Sequence, residues 1–203
     1  MEVVDSSIEH RIAARLKTLR AQRGLTLDEL ATRSGVSRSM ISLIERAESS
    51  PTANTLDRLA ASLGVTLASL FAEEERVDAA PLTRRADQPV WRDPDTGYLR
   101  RNLSPSASLS PIELVEIVLP PGAQVAYDSG SRAAPVDQQV WILEGTVEIT
   151  VGADAFHLTT GDCLAMRVDR PTGFRNPGGE PARYLVALIV SASPDGPKRK
   201  KSI

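Results

Sequence analysis

The sequence of 203 residues is poor in cysteine, histidine and aromatic side chains. Its single cysteine, Cys163, excludes an intrachain disulfide, and we expect this thiol to be a buried small hydrophobe on a strand. The two histidines, His10 and His157, cannot by themselves supply the three imidazoles of a His-rich metal centre.

Long apolar runs and a strong charge imbalance are also missing. No run approaches the roughly 18 apolar residues that a transmembrane helix needs, and the N-terminus lacks the basic and apolar regions of a signal peptide. We therefore expect a cytoplasmic protein that does not contact the membrane. The formal net charge is −2, so any affinity for DNA must come from the local placement of basic side chains.

The strongest local pattern, in residues 25–46, predicts two short helices joined by a tight turn. Thr26 and Glu29 have the spacing of a capping box, Gly35 suits a left-handed helix end, and Ser37 is a good cap for the second helix. The polar, basic face of that second helix carries Arg38, Ser39 and Ser42. This design is typical of a helix-turn-helix that enters a DNA major groove. A hairpin that only packs in a helical bundle is the alternative.

A longer stretch, LTLDELATRSGVSRSMISLIERAESSPTANTLDRLAASLGV, resembles the lambda-repressor/Cro-like (XRE-type) helix-turn-helix family. The matching positions are Ala31, Gly35, Val36, Ile41, Ile44–Glu45–Arg46, Pro51 and Leu56–Leu59–Ala60–Leu63. The resemblance implies a five-helix DNA-binding domain over residues 8–72. Leu27 departs from the pattern, because the family usually has a glutamine there that helps to hold a phosphate.

The resemblance also implies two kinds of contact with double-stranded DNA. The candidates for reading base edges are Ser37, Arg38, Ser39 and Ser42, and Arg38 is the best candidate for reading a guanine. The candidates for holding phosphates are Arg15, Thr26, Arg46 and the backbone near Asn54. For most basic residues of the first helix, a solvated face is the alternative interpretation.

The pattern changes from helices to strands after residue 88. Residues 73–88 are polar and short, which indicates a linker. Residues 89–192 contain short β-rich runs, and turn signals at a spacing of ~8–12 residues favour a sandwich or barrel. The basic tail, 193–203, is expected to be disordered and to add at most a weak hold on DNA.

The second half, over about residues 105–192, resembles the cupin superfamily, a small double-sheet β-barrel. The segments that carry the resemblance are VWILEGTVEITVG and LTTGDCLAMRVDRPTGFRNPGGEPARYLVALI. The two resemblances together imply an α + β protein of two domains, a five-helix domain followed by a barrel. This arrangement is typical of bacterial transcriptional regulators.

A metal-binding cupin uses three histidines and a carboxylate, and the resemblance places these ligands near Arg132 and Ala134, at Gln138 and at Thr172. These residues do not make a competent ligand set, so we expect no metal and no cofactor.

A second interpretation of the same positions is a pocket for an organic anion or amino acid, because arginine binds carboxylates through two parallel hydrogen bonds. The candidate pocket residues are Arg132, Gln138, Arg167 and Thr172. An equally open alternative is a barrel filled by its own side chains, with the arginines paired to Asp137 or Asp169.

These observations predict a sequence-specific DNA-binding transcriptional regulator with a metal-free cupin domain for dimerisation and possible small-molecule sensing. A homodimer would set its two recognition helices about one DNA turn, ~34 Å, apart. The alternative from another class is a metal-dependent cupin oxygenase or epoxidase fused to a helix-turn-helix domain. A helical domain that binds another protein is a third option.

Overall fold

The computed structural model describes residues 6–71, 80–105, 110–128 and 136–190. These residues contain four α-helices, namely α1 (Ser6–Gln22), α2 (Leu27–Ser34), α3 (Arg38–Glu45) and α4 (Ala53–Ser62). The prediction of a fifth helix is wrong for this part of the chain, because the segment forms only a 3-10 helix, Ala68–Leu70. Residues three apart share a side in such a turn, and this places both Leu67 and Leu70 in the core.

The predicted signals at the ends of α2 and α3 are confirmed. The Thr26 hydroxyl accepts the Glu29 N–H at 3.2 Å, and the Glu29 carboxylate accepts the Thr26 N–H at 2.8 Å, which completes the capping box. Gly35 ends α2 with φ +64°. The Ser37 hydroxyl then accepts the Met40 N–H at 3.2 Å, so α3 begins directly after the turn.

The core of the helical part is built from one apolar face of each helix. Buried side chains recur at helical spacing, among them Ile12, Leu16 and Leu19 in α1, Leu30 in α2, Ile41 and Ile44 in α3, and Leu56 and Leu59 in α4. No helix within the described residues has both the length and the apolar character to cross a membrane.

The described strands form two antiparallel sheets. They are β1 (Val90–Arg92), β2 (Leu99–Asn102), β3 (Ile112–Leu119), β4 (Gln124–Tyr127), β5 (Val136–Glu144), β6 (Thr146–Val151), β7 (Asp154–Thr159), β8 (Cys163–Arg167), β9 (Thr172–Arg175) and β10 (Ala182–Val190). The larger sheet has the order β1-β2-β3-β10-β5-β8, and the smaller sheet has the order β4-β9-β6-β7. No ladder joins the two sheets among these strands, so the predicted closed barrel is corrected to a two-sheet sandwich.

Strand alternation decides which side chains face the interior of the sandwich. In β5, Val140 and Ile142 are fully buried, whereas Trp141 points outward and is 48% exposed. Cys163 is exposed and lies opposite Trp141 in the register of β5 and β8. The prediction that this thiol is buried is therefore wrong, because the odd-numbered residues of β8 face outward.

The helical part and the sandwich share one core. Trp91 of β1 lies between two rings, with centroid distances of 5.6 Å to Phe71 and 5.8 Å to Tyr98. The buried carboxylate of Asp93, in the turn after β1, accepts the N–H of Ala53 at 2.7 Å. Since Ala53 is the first residue of α4, this bond fixes the N-terminus of α4 to the sandwich.

Candidate DNA-binding surface and interior cavity

The first turns of α3 project from the helical part. Arg38 and Ser39 are exposed and Ser42 is half-buried, while Ile41 and Ile44, on the opposite face, are buried. Ser37 is also exposed and lies within 3.2 Å of the Ser39 hydroxyl. The structure thus brings the predicted base-reading residues together on one accessible surface, which we call the α3 face (Ser37, Arg38, Ser39 and Ser42).

Arg38 has a weak partner in the absence of DNA. Its Nε lies 3.3 Å from Asp28 Oδ1 in α2, and the two side chains are 61% and 75% exposed. Exposed ion pairs of this kind contribute little free energy. The Arg38 guanidinium therefore needs little energy to leave Asp28.

A bidentate ion pair holds α3 against α1. Arg20 donates to the two carboxylate oxygens of Glu45 at 2.6 and 2.7 Å, and it also donates to the Leu25 carbonyl at 2.8 Å. The hydrogen bonds to Glu45 raise the pKa of Arg20 above its ordinary value. Sequence reasoning noted Glu45 only as a family match, because its partner lies 25 residues away in the chain.

Two of the predicted phosphate-holding residues lie at exposed positions near the α3 face. Thr26 is exposed at the N-terminus of α2, where its hydroxyl takes part in the capping box. Arg46 is exposed after α3, donates to the Glu48 carboxylate at 2.9 and 2.8 Å, and donates to the Ser42 hydroxyl at 2.5 Å. Both residues are accessible to a phosphate, although Arg46 must first release the Glu48 carboxylate.

The other two predicted phosphate residues already have contacts with the protein. Arg15 is half-buried, and its Nε donates to the Ser69 carbonyl at 3.3 Å. Asn54 follows Ala53, whose N–H is bonded to Asp93. Arg15 is therefore directed towards the 3-10 helix, and Asp93 occupies part of the N-terminus of α4.

The sandwich contains a cavity of about 70 Å³ beneath α4. Both parts of the chain line it, with Asp57, Thr66 and Leu67 contributed by the helical part. Among the predicted pocket residues, Gln138 and Thr172 line the cavity.

The two predicted pocket arginines have different outcomes. Arg167 is exposed, is not part of the cavity lining, and donates to Asp137 at 2.8 Å through its Nε. This is the paired arrangement that the filled-barrel alternative anticipated. Arg132 lies outside the described residues.

Arg100, which the sequence analysis missed, brings a positive charge to the cavity. It is 6% exposed, and its Nε has no hydrogen-bond acceptor among the described residues. Its guanidinium carbon lies 5.5 Å from the centroid of the Phe71 ring. The sequence contained a signal for this residue. Arg100 and Arg101 are adjacent in a strand, and neighbouring strand residues point to opposite faces, so one of the two arginines must face the interior of the sandwich.

Three tyrosines stand near this guanidinium, namely the buried Tyr98 and Tyr184 and the half-buried Tyr127. The hydroxyls of Tyr98 and Tyr127 are 3.2 Å apart, and Tyr127 and Tyr184 line the cavity. Burial raises the pKa of all three phenols above the ordinary value of 10. The hydroxyls therefore stay protonated at neutral pH and remain hydrogen-bond donors.

The residues at the expected metal positions do not fit a transition-metal centre. Gln138 offers an amide, Thr172 offers a hydroxyl, and the Arg100 guanidinium lines the same cavity. Zinc and iron sites are built from imidazole, thiolate and carboxylate groups instead. The described residues include no group of three or more His, Cys, Asp or Glu placed to hold a metal ion.

Comparison with known proteins agrees with this architecture. The helix-turn-helix family model matches residues 16–70, and the cupin-domain model matches residues 115–188. The HTH-type transcriptional regulator PuuR of Escherichia coli (strain K12) is 26% identical over 176 residues, which cover 85% of this chain and 91% of PuuR.

Two further relatives extend the comparison. An uncharacterized HTH-type transcriptional regulator of Sinorhizobium fredii, y4dJ, is 40% identical over 55 residues, which cover 27% of this chain and 71% of that protein. The crystal structure of an HTH_3 family transcriptional regulator from Vibrio cholerae has a TM-score of 0.74 and 27% identity, and it covers 92% of this chain and 99% of that one.

A helix-turn-helix followed by a two-sheet cupin domain defines a class of regulators that join a DNA-reading unit to a β-sandwich. This chain belongs to the helix-turn-helix family of transcriptional regulators and carries a C-terminal cupin domain. Both resemblances noted in the sequence are confirmed. The relatives' names favour a regulator over the fused oxygenase or epoxidase.

Proposed function

We propose that this protein is a sequence-specific regulator of transcription that binds double-stranded DNA as a homodimer in the cytoplasm. The observation that carries the proposal is the exposed α3 face, in particular Arg38 and Ser39. A hairpin that served only to pack a bundle would have no need of such a face. The caps of α2 and α3 and the pair Arg20–Glu45 hold this face in place.

On DNA, α3 enters the major groove, and the α3 face contacts base edges. Arg38 donates two hydrogen bonds to the O6 and N7 of a guanine, while the serine hydroxyls read neighbouring positions. Thr26 and Arg46 contact phosphates beside the groove. Arg15 contributes a phosphate contact only if it leaves the Ser69 carbonyl. The backbone near Asn54 contributes one only if the phosphate shares the N-terminus of α4 with Asp93.

Two chains pair through their cupin domains. The outer face of β5 and β8 supports this assignment, because it exposes the apolar ring of Trp141 beside Cys163 and Ala165. A two-fold pair places the two α3 helices about 34 Å apart, which matches a palindromic operator.

The proposal includes the domain limits expected from the sequence. We assign residues 8–72 to the DNA-binding domain, residues 73–88 to a linker, and residues 89–192 to the cupin-like domain. The basic tail, 193–203, lies outside the described residues. The cavity of the cupin-like domain is the place where a small-molecule effector binds.

The test is a binding-site selection from random duplexes with the purified full-length protein, followed by fluorescence anisotropy at fixed salt. We expect a palindromic site, and we expect Arg38→Ala to lose about 1–3 kcal/mol of binding and its preference at one position of each half-site. Arg92→Ala, which removes an exposed charge from β1, is the control and should leave the selected sequence unchanged. Recovery of no preferred sequence by the wild type would overturn the function. An unchanged selection with Arg38→Ala would remove only Arg38 from base reading.

A further inference from the structure

We propose that the cavity binds a small organic carboxylic acid, that Arg100 binds its carboxylate, and that the bound acid contacts both the sandwich and α4 of the DNA-binding domain. This inference rests on the proposed function, since it names the chemical class of the effector and its route to the DNA-reading helix. Gln138 and Thr172, which the sequence placed in the pocket, become secondary contacts.

The buried guanidinium of Arg100 is the first observation behind this proposal. A charged group that is 6% exposed is costly to bury unless other groups compensate it, and its Nε has no acceptor among the described residues. The guanidinium is hydrogen-bonded to the Tyr98 hydroxyl and faces the Phe71 ring, but neither group supplies a negative charge. A carboxylate has two acceptor oxygens that match the fork of a guanidinium.

The remaining walls of the cavity fit an organic acid better than an inorganic anion. Tyr127 and Tyr184 offer phenol hydroxyls that stay protonated, and Thr172 offers a third hydroxyl. Apolar side chains such as Ile117, Val186 and Leu188 cover much of the rest. These would pack against a hydrocarbon body, which sulfate and phosphate lack. The cavity of about 70 Å³ has room for a short-chain acid.

Asp57 brings α4 into the same cavity. This carboxylate is 4% exposed and lies one helical turn after Ala53, whose N–H is held by Asp93. An acid that carries an amino group would donate a hydrogen bond to the Asp57 carboxyl group, which a simple acid cannot do. The two kinds of acid are therefore separated in the experiment below.

The residue after Asp57 connects α4 to the helix-turn-helix. Arg58 donates from its Nε to the carbonyl of Ser34 at 2.9 Å, and Ser34 is the last residue of α2. Three residues later, Ser37 caps α3. A ligand that shifts α4 therefore acts on the turn that positions the α3 face. It changes DNA affinity by as much as its affinity differs between the two arrangements.

Isothermal titration of the full-length protein with acetate, propionate and butyrate tests the ligand class. Each acid is paired with its neutral amide, and alanine and sulfate are titrated as well. We expect at least one of the three carboxylates to bind about tenfold more tightly than its amide, because the neutral amide cannot form charge-assisted hydrogen bonds with Arg100. Tighter binding of alanine than of propionate also supports the proposal and adds Asp57 as the partner of the amino group.

Variants of Arg100 test the assigned residue. Arg100→Gln should weaken the tightest of these carboxylates by about tenfold or more, while Arg167→Gln, an exposed arginine outside the cavity lining, should stay within about twofold of the wild type. Arg100→Lys keeps the charge without the fork and should fall between them. Far-UV circular dichroism confirms that each variant is folded, and Arg100→Lys replaces Arg100→Gln if the latter is not.

Four results would overturn the proposal. These are no binding of any carboxylate, equal binding of acid and amide, tighter binding of sulfate than of every carboxylate, and wild-type affinity in the Arg100 variants. The link to DNA is tested by anisotropy with the selected duplex at saturating carboxylate. DNA affinity should change by about threefold or more in the wild type and stay constant in Arg100→Gln. No change in the wild type would refute the link.

The two hypotheses fail in different ways. A protein that binds a specific duplex but no carboxylate retains the proposed function and loses this inference. A protein that binds a carboxylate through Arg100 but no specific duplex loses the proposed function and retains a ligand site.

Discussion

Among single residues, the pair Arg20–Glu45 has a larger structural role than its position suggests. Its side chains are 16% and 7% exposed, and it joins the first helix to the end of the DNA-reading helix. Glu45→Ala leaves the Arg20 guanidinium with only the Leu25 carbonyl as acceptor among the contacts described above. We expect a loss of about 2 kcal/mol in the free energy of unfolding, measured by urea titration with circular dichroism.

The matched control for this prediction is Glu48→Ala. Glu48 accepts two hydrogen bonds from Arg46, but both side chains are about half exposed. Solvent screens such a pair, so its removal should cost much less free energy of unfolding than the removal of Glu45. Equal losses in the two variants would show that the Arg20–Glu45 pair contributes no more than a surface contact.

The position of a residue could be predicted when its contacts are with residues close to it in the sequence. The α3 face follows from helical periodicity, because Ile41 and Ile44 leave Arg38, Ser39 and Ser42 on the other side. The cavity arginine does not follow from periodicity. Choosing between Arg100, Arg132 and Arg167 required knowledge of which strand faces which, and strand pairing is a non-local property.

At the scale of an element, the capping box makes the stability of α2 depend on pH. Hydrogen bonds from the Thr26 backbone and hydroxyl lower the pKa of Glu29 below its ordinary value of 4.5. A lowered carboxyl pKa contributes stability above the unfolded value, and that contribution is lost as the pH falls through the folded value. We therefore expect Glu29→Gln to be less stable than the wild type at pH 7, and we expect this difference to shrink as the pH falls below 4.5.

Urea titrations at a series of pH values below 7 measure this difference. Asp28→Asn, the neighbouring carboxylate in the first turn of α2, controls for the general effect of acid on that turn. A stability gap between Glu29→Gln and the wild type that does not narrow as the pH falls would contradict the role assigned to the ionised carboxylate.

The elements themselves were predictable where caps and turns define them. Thr26, Gly35 and Ser37 give the limits of α2 and α3 from neighbouring residues alone. The wrong or missing elements depend on distant contacts. β1 has three residues and exists through its pairing with β2, and the segment after Gly64 forms a 3-10 helix because it packs against the shared core.

On the scale of the whole molecule, the two domains are not separate units joined only by a linker. Buried side chains from both parts belong to one apolar core, and Trp91 and Asp93 lie where they meet. The sequence predicted two separate units because the composition changes near residue 88. Composition carries no information about which surfaces pack together, so the shared cavity could not be predicted from it.

A continuous core predicts that the two domains unfold together. Trp91 is 1% exposed at the junction, whereas Trp141 is 48% exposed, so Trp141→Phe leaves a fluorescent reporter of the junction alone. We expect its fluorescence and the helical circular dichroism to change at the same urea concentration, as a cooperative transition requires. Asp93→Ala should separate the two curves, because it frees the N-terminus of α4 from the sandwich.

The exposed neighbour Asp95 provides the control, since Asp95→Ala keeps the bond from Ala53 to Asp93 and should leave the curves coincident. Separate curves in the Trp141→Phe protein itself would mean that the domains fold independently. In that case a ligand in the cavity would have no rigid connection through α4 to the α3 face. Coincident curves that separate only in Asp93→Ala would place the mechanical link at this carboxylate, because Asp93 holds the helix that carries Asp57 and Arg58.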